Sequence, residues 1–119
     1  MIYAEKISFR RNDEQNLQTI VRIKLLSDSS EKWKINDKPI NGWYKKEDIN
    51  AWLHNHGDTG FEIKVNIKPY PNLVPVERNS VKYVRSTRDY TNKDNLLNLE
   101  AFYEKESWKL LPALIVIFG

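Results

Sequence analysis

The stretch KYVRSTRDYTNKDNLLNL, residues 82 to 99, is the densest run of hydrogen-bonding side chains in the sequence. Arg85, Ser86, Thr87, Arg88, Asp89, Asp94 and Asn95 stand there between two apolar segments. An arginine on a strand can grip a carboxylate bidentately, or a bound anion in the same geometry. Asp94 is placed to cap the following turn by accepting from backbone N–H groups of LLN, and Asn95 can bridge a loop through Asx-type bonds. Two readings stay open. In one, Arg85 pairs with Asp89 or Asp94 and the stretch is a clasp, with Leu96, Leu97 and Leu99 docked in the core. In the other, Arg85, Thr87 and Arg88 face outward beside a basic strand and bind an anion.

Other chemistry is thinner. His54 and His56 suggest a metal pair, but residues i and i+2 on a helix point about 200° apart, so their rings cannot share an ion. With no cysteine and no third histidine, no metal site is expected. Both histidines instead suit the last turn of a helix, where positive charge is favourable. Trp33 and Trp43 flank a turn, where they could stack on bases or anchor a protein partner; Trp52 reads as core. No nucleophile–base arrangement, P-loop or glycine-rich phosphate fingerprint is present, so catalysis is the poorer expectation and no cofactor is called for.

Charge is polarised along the chain. The net charge is +3 over 119 residues. Within 61–88, Lys64, Lys68, Arg78, Lys82, Arg85 and Arg88 outweigh Glu62 and Glu77, whereas 89–119 is net acidic. A basic segment attracts an anionic partner, although solvated lysines on strand faces produce the same pattern. Absence of cysteine removes disulfides and thiolate chemistry and agrees with a reducing, cytoplasmic setting. MIYAEKISFRRNDEQ has no apolar h-region, which argues against a signal peptide. The apolar run LLPALIVIFG is too short to span a bilayer, so no membrane partner is expected.

Periodicity says which elements must carry these groups. Residues 2–10 alternate, with Tyr3, Ile7 and Phe9 on one face; residues 17–25 alternate Leu17, Thr19, Val21, Ile23 and Leu25 against Gln18, Ile20, Arg22 and Lys24. Two period-2 runs across a short polar loop predict an antiparallel hairpin. KWKI is a candidate third strand, and NDKPING is turn chemistry. In WYKKEDINAWLHNHG, Ile49, Trp52, Leu53 and His56 fall at i, i+3, i+4 and i+7, predicting a helix that Gly57 ends in the left-handed region. FEIKVNIK returns to alternation, 69–75 reads as an extended, irregular proline-rich connection or strand edge, and SVKYVRS as a strand. From Asp94 onward a second helix is predicted, followed by a buried strand in ALIVIF. The order implies one α+β domain, 1–119, with a mainly antiparallel sheet, an N-terminal hairpin and one or two helices on one face.

YVRSTRDYTNKDNLLNL also resembles the C-terminal signature of a family of small bacterial and phage proteins, domain of unknown function 3892. Tyr83, Val84, Arg85, Asp89, Asp94, Asn95, Leu96, Leu97 and Leu99 match; Ser86 stands where threonine is usual and Glu100 where proline is expected. The resemblance is sharp over about 17 residues and implies a fold relationship without an activity.

The sequence therefore points to a small non-enzymatic binding protein whose basic segment 61–88 contacts a nucleic acid, a nucleotide or an acidic protein surface. The expected contacts are Lys64, Lys68, Lys82, Arg85, Thr87, Arg88 and Trp43. The alternative is a phage- or mobile-element-encoded inhibitor of bacterial defence, acting by protein binding or nucleotide sequestration; an uncharacterised hydrolase is third. Segment 110–118 offers a strand through which two copies could pair.

Overall fold

Two alternating segments at the N-terminus form the expected hairpin. In the computed structural model, which describes residues 1–87 and 93–104, β1 (Ile2–Phe9) pairs antiparallel with β2 (Arg22–Ser27). Ile2, Ala4, Ile7 and Phe9 are buried, so the inward parity changes within β1. The register shift between Ala4 and Lys6 is the cause: a bulge lets Glu5 and Lys6 both face out. Tyr3 therefore lies opposite the face of Ile7 and Phe9, against expectation. The loop between the strands runs to Val21, longer than predicted. There Asn16 and Thr19 bond each other's backbone, and Ile20, expected outward, is 1% exposed in the core.

KWKI yields only a two-residue strand, β3 (Lys34–Ile35), paired with β4 (Lys38–Pro39). Asn36 and Asp37 between them both take positive φ, the geometry that matches strand twist in a two-residue turn. The expected helix starts late. Gly42–Lys45 is a strand, β5, antiparallel to β2, and α1 covers Lys46–His56. Its buried stripe is Lys46, Ile49, Asn50 and Leu53, while Trp52 is half-buried and His56 exposed. Gly57 stays right-handed and leads into a 3-10 turn; the left-handed glycine is Gly60, φ 96°.

Phe61, Ile63 and Val65 point inward as predicted, but β6 (Ile63–Val65) runs parallel to β1. The proline-rich stretch, expected as an extended connection or strand edge, runs into a strand, β7 (Leu73–Arg78), which pairs with β8 (Val81–Ser86) across a second two-residue turn of positive φ at Asn79 and Ser80. The helix expected from Asp94 is not formed through residue 104. Asn95–Asn98 makes one 3-10 turn and Glu100–Tyr103 becomes β9, parallel to the second half of β1. Trp108, ALIVIF and the proposed pairing segment 110–118 lie outside the described residues.

The main sheet runs β5–β2–β1, with β6 beside Ile2–Ala4 and β9 beside Lys6–Phe9. α1 packs against the β7–β8 ribbon. Asn50 joins the two elements, its Nδ2 donating to the carbonyls of Val76 and Tyr83 at 3.0 and 2.8 Å. One core holds Ile7, Ile23 and Leu25 from the sheet, Ile49 and Leu53 from the helix, Val84 from the ribbon and Leu96. The molecule is a small α+β domain.

Candidate functional site

Side chains alternate across a strand, so burying one face of the sheet commits the other to solvent. On β5, Tyr44 turns inward to meet Trp52 edge-on at 5.2 Å, leaving Trp43 and Lys45 outward. On β2 the burial of Ile23 and Leu25 turns Arg22, Lys24 and Leu26 outward. Past its bulge, β1 presents Lys6, with Ser8 on the same side but buried at 4% exposure; β9 presents Glu100 and Phe102. Cross-strand register sets these into rows: Trp43, Lys24, Lys6 and Glu100 stand side by side. A second row holds Leu26, Tyr3 and Lys64.

Two aromatic rings from the flanks of this face reach toward each other. Trp43 and Phe102, 39% and 40% exposed, meet edge to face at 5.8 Å. Lys6 Nζ sits 5.1 Å from the Phe102 centroid and 4.0 Å from Glu100. The result is an aromatic pair fringed by ammonium groups, on a surface of stiff backbone.

At one corner the face runs into a cleft of about 610 Å³. Arg10, Asp13, Gln18, Thr19, Arg22, Lys45, Lys46, Glu47, Val81 and Glu104 line it, together with Val21. Arg22 is held by Glu104 at 2.5 Å, and the Ser8 hydroxyl also reaches Glu104. Lys46 is the unusual member. Its side chain is 10% exposed, and its Nζ donates to the Gln18 carbonyl; the Glu47 carboxylate stays 3.9 Å away. Burial lowers the Lys46 pKa below the usual lysine value, more than Glu47 and Asp13 restore it, and Arg10 lowers it further. No side chain caps the N-terminus of α1 at this corner.

The residues expected to form the site are dispersed. Trp43 and Lys64 belong to the open sheet face, although Lys64 Nζ also donates to Asn72 Oδ1 at 2.8 Å. Lys68 lies in the loop after β6. On the ribbon, Lys82 and Arg85 fall at odd spacing and take opposite faces, Lys82 across from Glu77 and Arg85 across from Val74. Thr87 is tied to the chain through its N–H and the Asn72 carbonyl. Arg88 and Asp89 lie outside the described residues. Among the described residues no group of His, Asp or Glu side chains could hold a metal ion. Trp33 packs at 5.3 Å on Phe61 and 5.5 Å on His56, so it joins the body of the domain.

The polar stretch that dominates the sequence contains a clasp in which Asp94 holds Ser86 and caps the following turn as expected, while the pairing of Arg85 with Asp89 falls outside the described residues. Asp94 accepts from the Ser86 N–H at 3.1 Å, from the Ser86 hydroxyl at 2.6 Å and from the Leu96 N–H at 2.9 Å. Arg85 is exposed and donates to the Ser86 carbonyl. Lys6, Lys24, Lys45 and Phe102 were missed as site residues. The alternation of 17–25 does place Arg22 and Lys24 outward, but nothing local brings them beside Trp43 or Phe102. Comparison with family models, curated proteins and solved structures finds no match to this chain.

Proposed function

We propose that this chain binds single-stranded nucleic acid on the open face of its main sheet. The observation that carries the reading is the Trp43–Phe102 pair set in a row of Lys6 and Lys24, with Lys45 beside it. Bases in a single strand expose their π faces, and stacking on an aromatic side chain contributes roughly 1–3 kcal/mol per base. Lysines around the rings neutralise the phosphates between stacked bases. A broad sheet face suits this better than it suits duplex DNA, whose grooves admit a helix or a narrow two-stranded ribbon. The contact surface thus moves from segment 61–88 to the sheet, with Lys64 shared by both. The reading asks for no catalytic group.

Fluorescence anisotropy with labelled single-stranded oligonucleotides over a range of salt tests it. Contacts from Lys6, Lys24 and Lys45 give a slope of log K against log salt of about −2, at roughly −0.7 per phosphate contact. Lys24→Gln flattens the slope by one contact, and Trp43→Ala with Phe102→Ala weakens binding tenfold or more at unchanged fold, about the loss of one or two stacked bases. Absence of binding at about 50 mM salt, or full affinity in the double aromatic variant, overturns the reading.

A further inference from the structure

We infer that the cleft beside Lys46 is a subsite for a phosphate monoester, supplied by the end of the strand lying across the sheet. The inference rests on the sheet-face reading for the source of that phosphate. Its support is the state of Lys46. Its side chain is 10% exposed, and a charge drawn out of water is costly unless it is closely paired. Here the hydrogen bond goes to a neutral carbonyl, that of Gln18, and among the described residues the ion pair with Glu47 is a loose one at 3.9 Å, beyond hydrogen-bond distance. Desolvation disfavours the charged amine accordingly. An anion entering the cleft would give Lys46 a hydrogen-bonded counter-charge, closer than Glu47, and would meet Arg10 and Lys45 in the same wall.

The other carboxylates leave room for it. Glu104 is engaged by Arg22 and the Ser8 hydroxyl, and Glu47 is 52% exposed and free to swing into water. Asp13, also exposed, sits in the loop after β1. A monoester carries nearly twice the charge of an internal phosphodiester, so it gains more from an ammonium whose counter-charge, Glu47, is only loosely held. Connection to the sheet is direct. Lys45 and Arg22 line the cleft and stand on the open face, and Lys45 is two residues from Trp43, about 7 Å along the strand. A strand stacked on Trp43 has its end at the mouth of the cleft.

The test compares oligonucleotides of one sequence carrying a 5′-phosphate, a 3′-phosphate or hydroxyls at both ends, against the full chain and Lys46→Met. In parallel, thermal denaturation is followed with and without inorganic phosphate. One phosphorylated end is expected to tighten binding about tenfold, the scale of a charge-assisted hydrogen bond in a desolvated site. Lys46→Met is expected to erase that gain and leave the hydroxyl-ended strand bound as before. Equal affinity for all three ends, or a gain that survives in Lys46→Met, overturns the inference and leaves the sheet-face reading standing. If no strand binds but inorganic phosphate raises the Tm of the parent chain and not of Lys46→Met, the cleft is a phosphate site. In that case it is the sheet-face reading that fails.

Discussion

Removing the Asp94 carboxylate separates a structural clasp from a binding site. Asp94 holds three donors: the N–H and hydroxyl of Ser86 and the N–H of Leu96. Ser86 is 2% exposed, so in Asp94→Ala its donors cannot turn to bulk water. Loss of the cap on the 3-10 turn costs about 1 kcal/mol, and stranding the buried Ser86 groups costs about 1–3 kcal/mol more. The expected total is about 3 kcal/mol, which for a domain of this size lowers Tm by roughly 12 °C. Ser86→Ala removes the hydroxyl alone and costs about 1 kcal/mol. The double variant then costs less than the two singles together, because the hydroxyl is no longer stranded. Urea unfolding followed by the fluorescence of the four tryptophans measures all three. An Asp94→Ala variant within about 0.5 kcal/mol of the parent refutes the clasp. So does unchanged stability with a large loss of oligonucleotide affinity, which would put Asp94 in the binding surface.

Three further outcomes follow from local geometry. Asn50→Ala strips the donor from two carbonyls and is expected to cost about 2 kcal/mol, with hydrogen exchange quickening at the α1–ribbon contact. Ser80→Gly relieves a positive φ of 66° in the β7–β8 turn and is expected to stabilise the domain by about 0.5–1 kcal/mol in the same urea assay. The folded pKa of Lys46 lies below its unfolded value of 10.5, so between the two the unfolded chain binds the extra proton. Burial of its charge therefore costs stability fully below the folded pKa, and that cost fades as pH rises through it toward 10.5. Lys46→Met should be more stable than the parent at neutral pH, with the difference shrinking as pH rises toward 10.5; a difference that grows with pH contradicts the assignment.

Local patterning revealed the hairpin, the inward set Phe61, Ile63 and Val65, and the capping role of Asp94, since each depends on neighbours in sequence. Non-local terms overruled the rest. WYKK carries helical spacing into α1, but pairing with β2 recruits it as β5. β7 was hidden by Pro75, tolerated because the ribbon is only two strands wide and leaves edges on both sides. EAFY lost its helix because β1 offered a free edge past the bulge. The open sheet face was half legible: Lys24, Trp43 and Lys64 each read as outward or exposed. Their assembly with Lys6 and Phe102 depends on strand order, which composition and period do not encode.

The hand-over along β1, from β6 beside Ile2–Ala4 to β9 beside Lys6–Phe9, has a kinetic consequence. β1 and β2 are neighbours in sequence, joined by a single loop, so their pairing is available early in folding. β9 closes a far longer span: Ser8 and Glu104, bonded to each other, are 96 positions apart. Loop-closure entropy makes such parallel docking a late event, reversed first on unfolding. Phe102 travels with β9. The first step of unfolding is therefore expected to keep the hairpin and to part Phe102 from Trp43. Substitutions that loosen β9 are expected to hasten unfolding while leaving the refolding rate nearly unchanged.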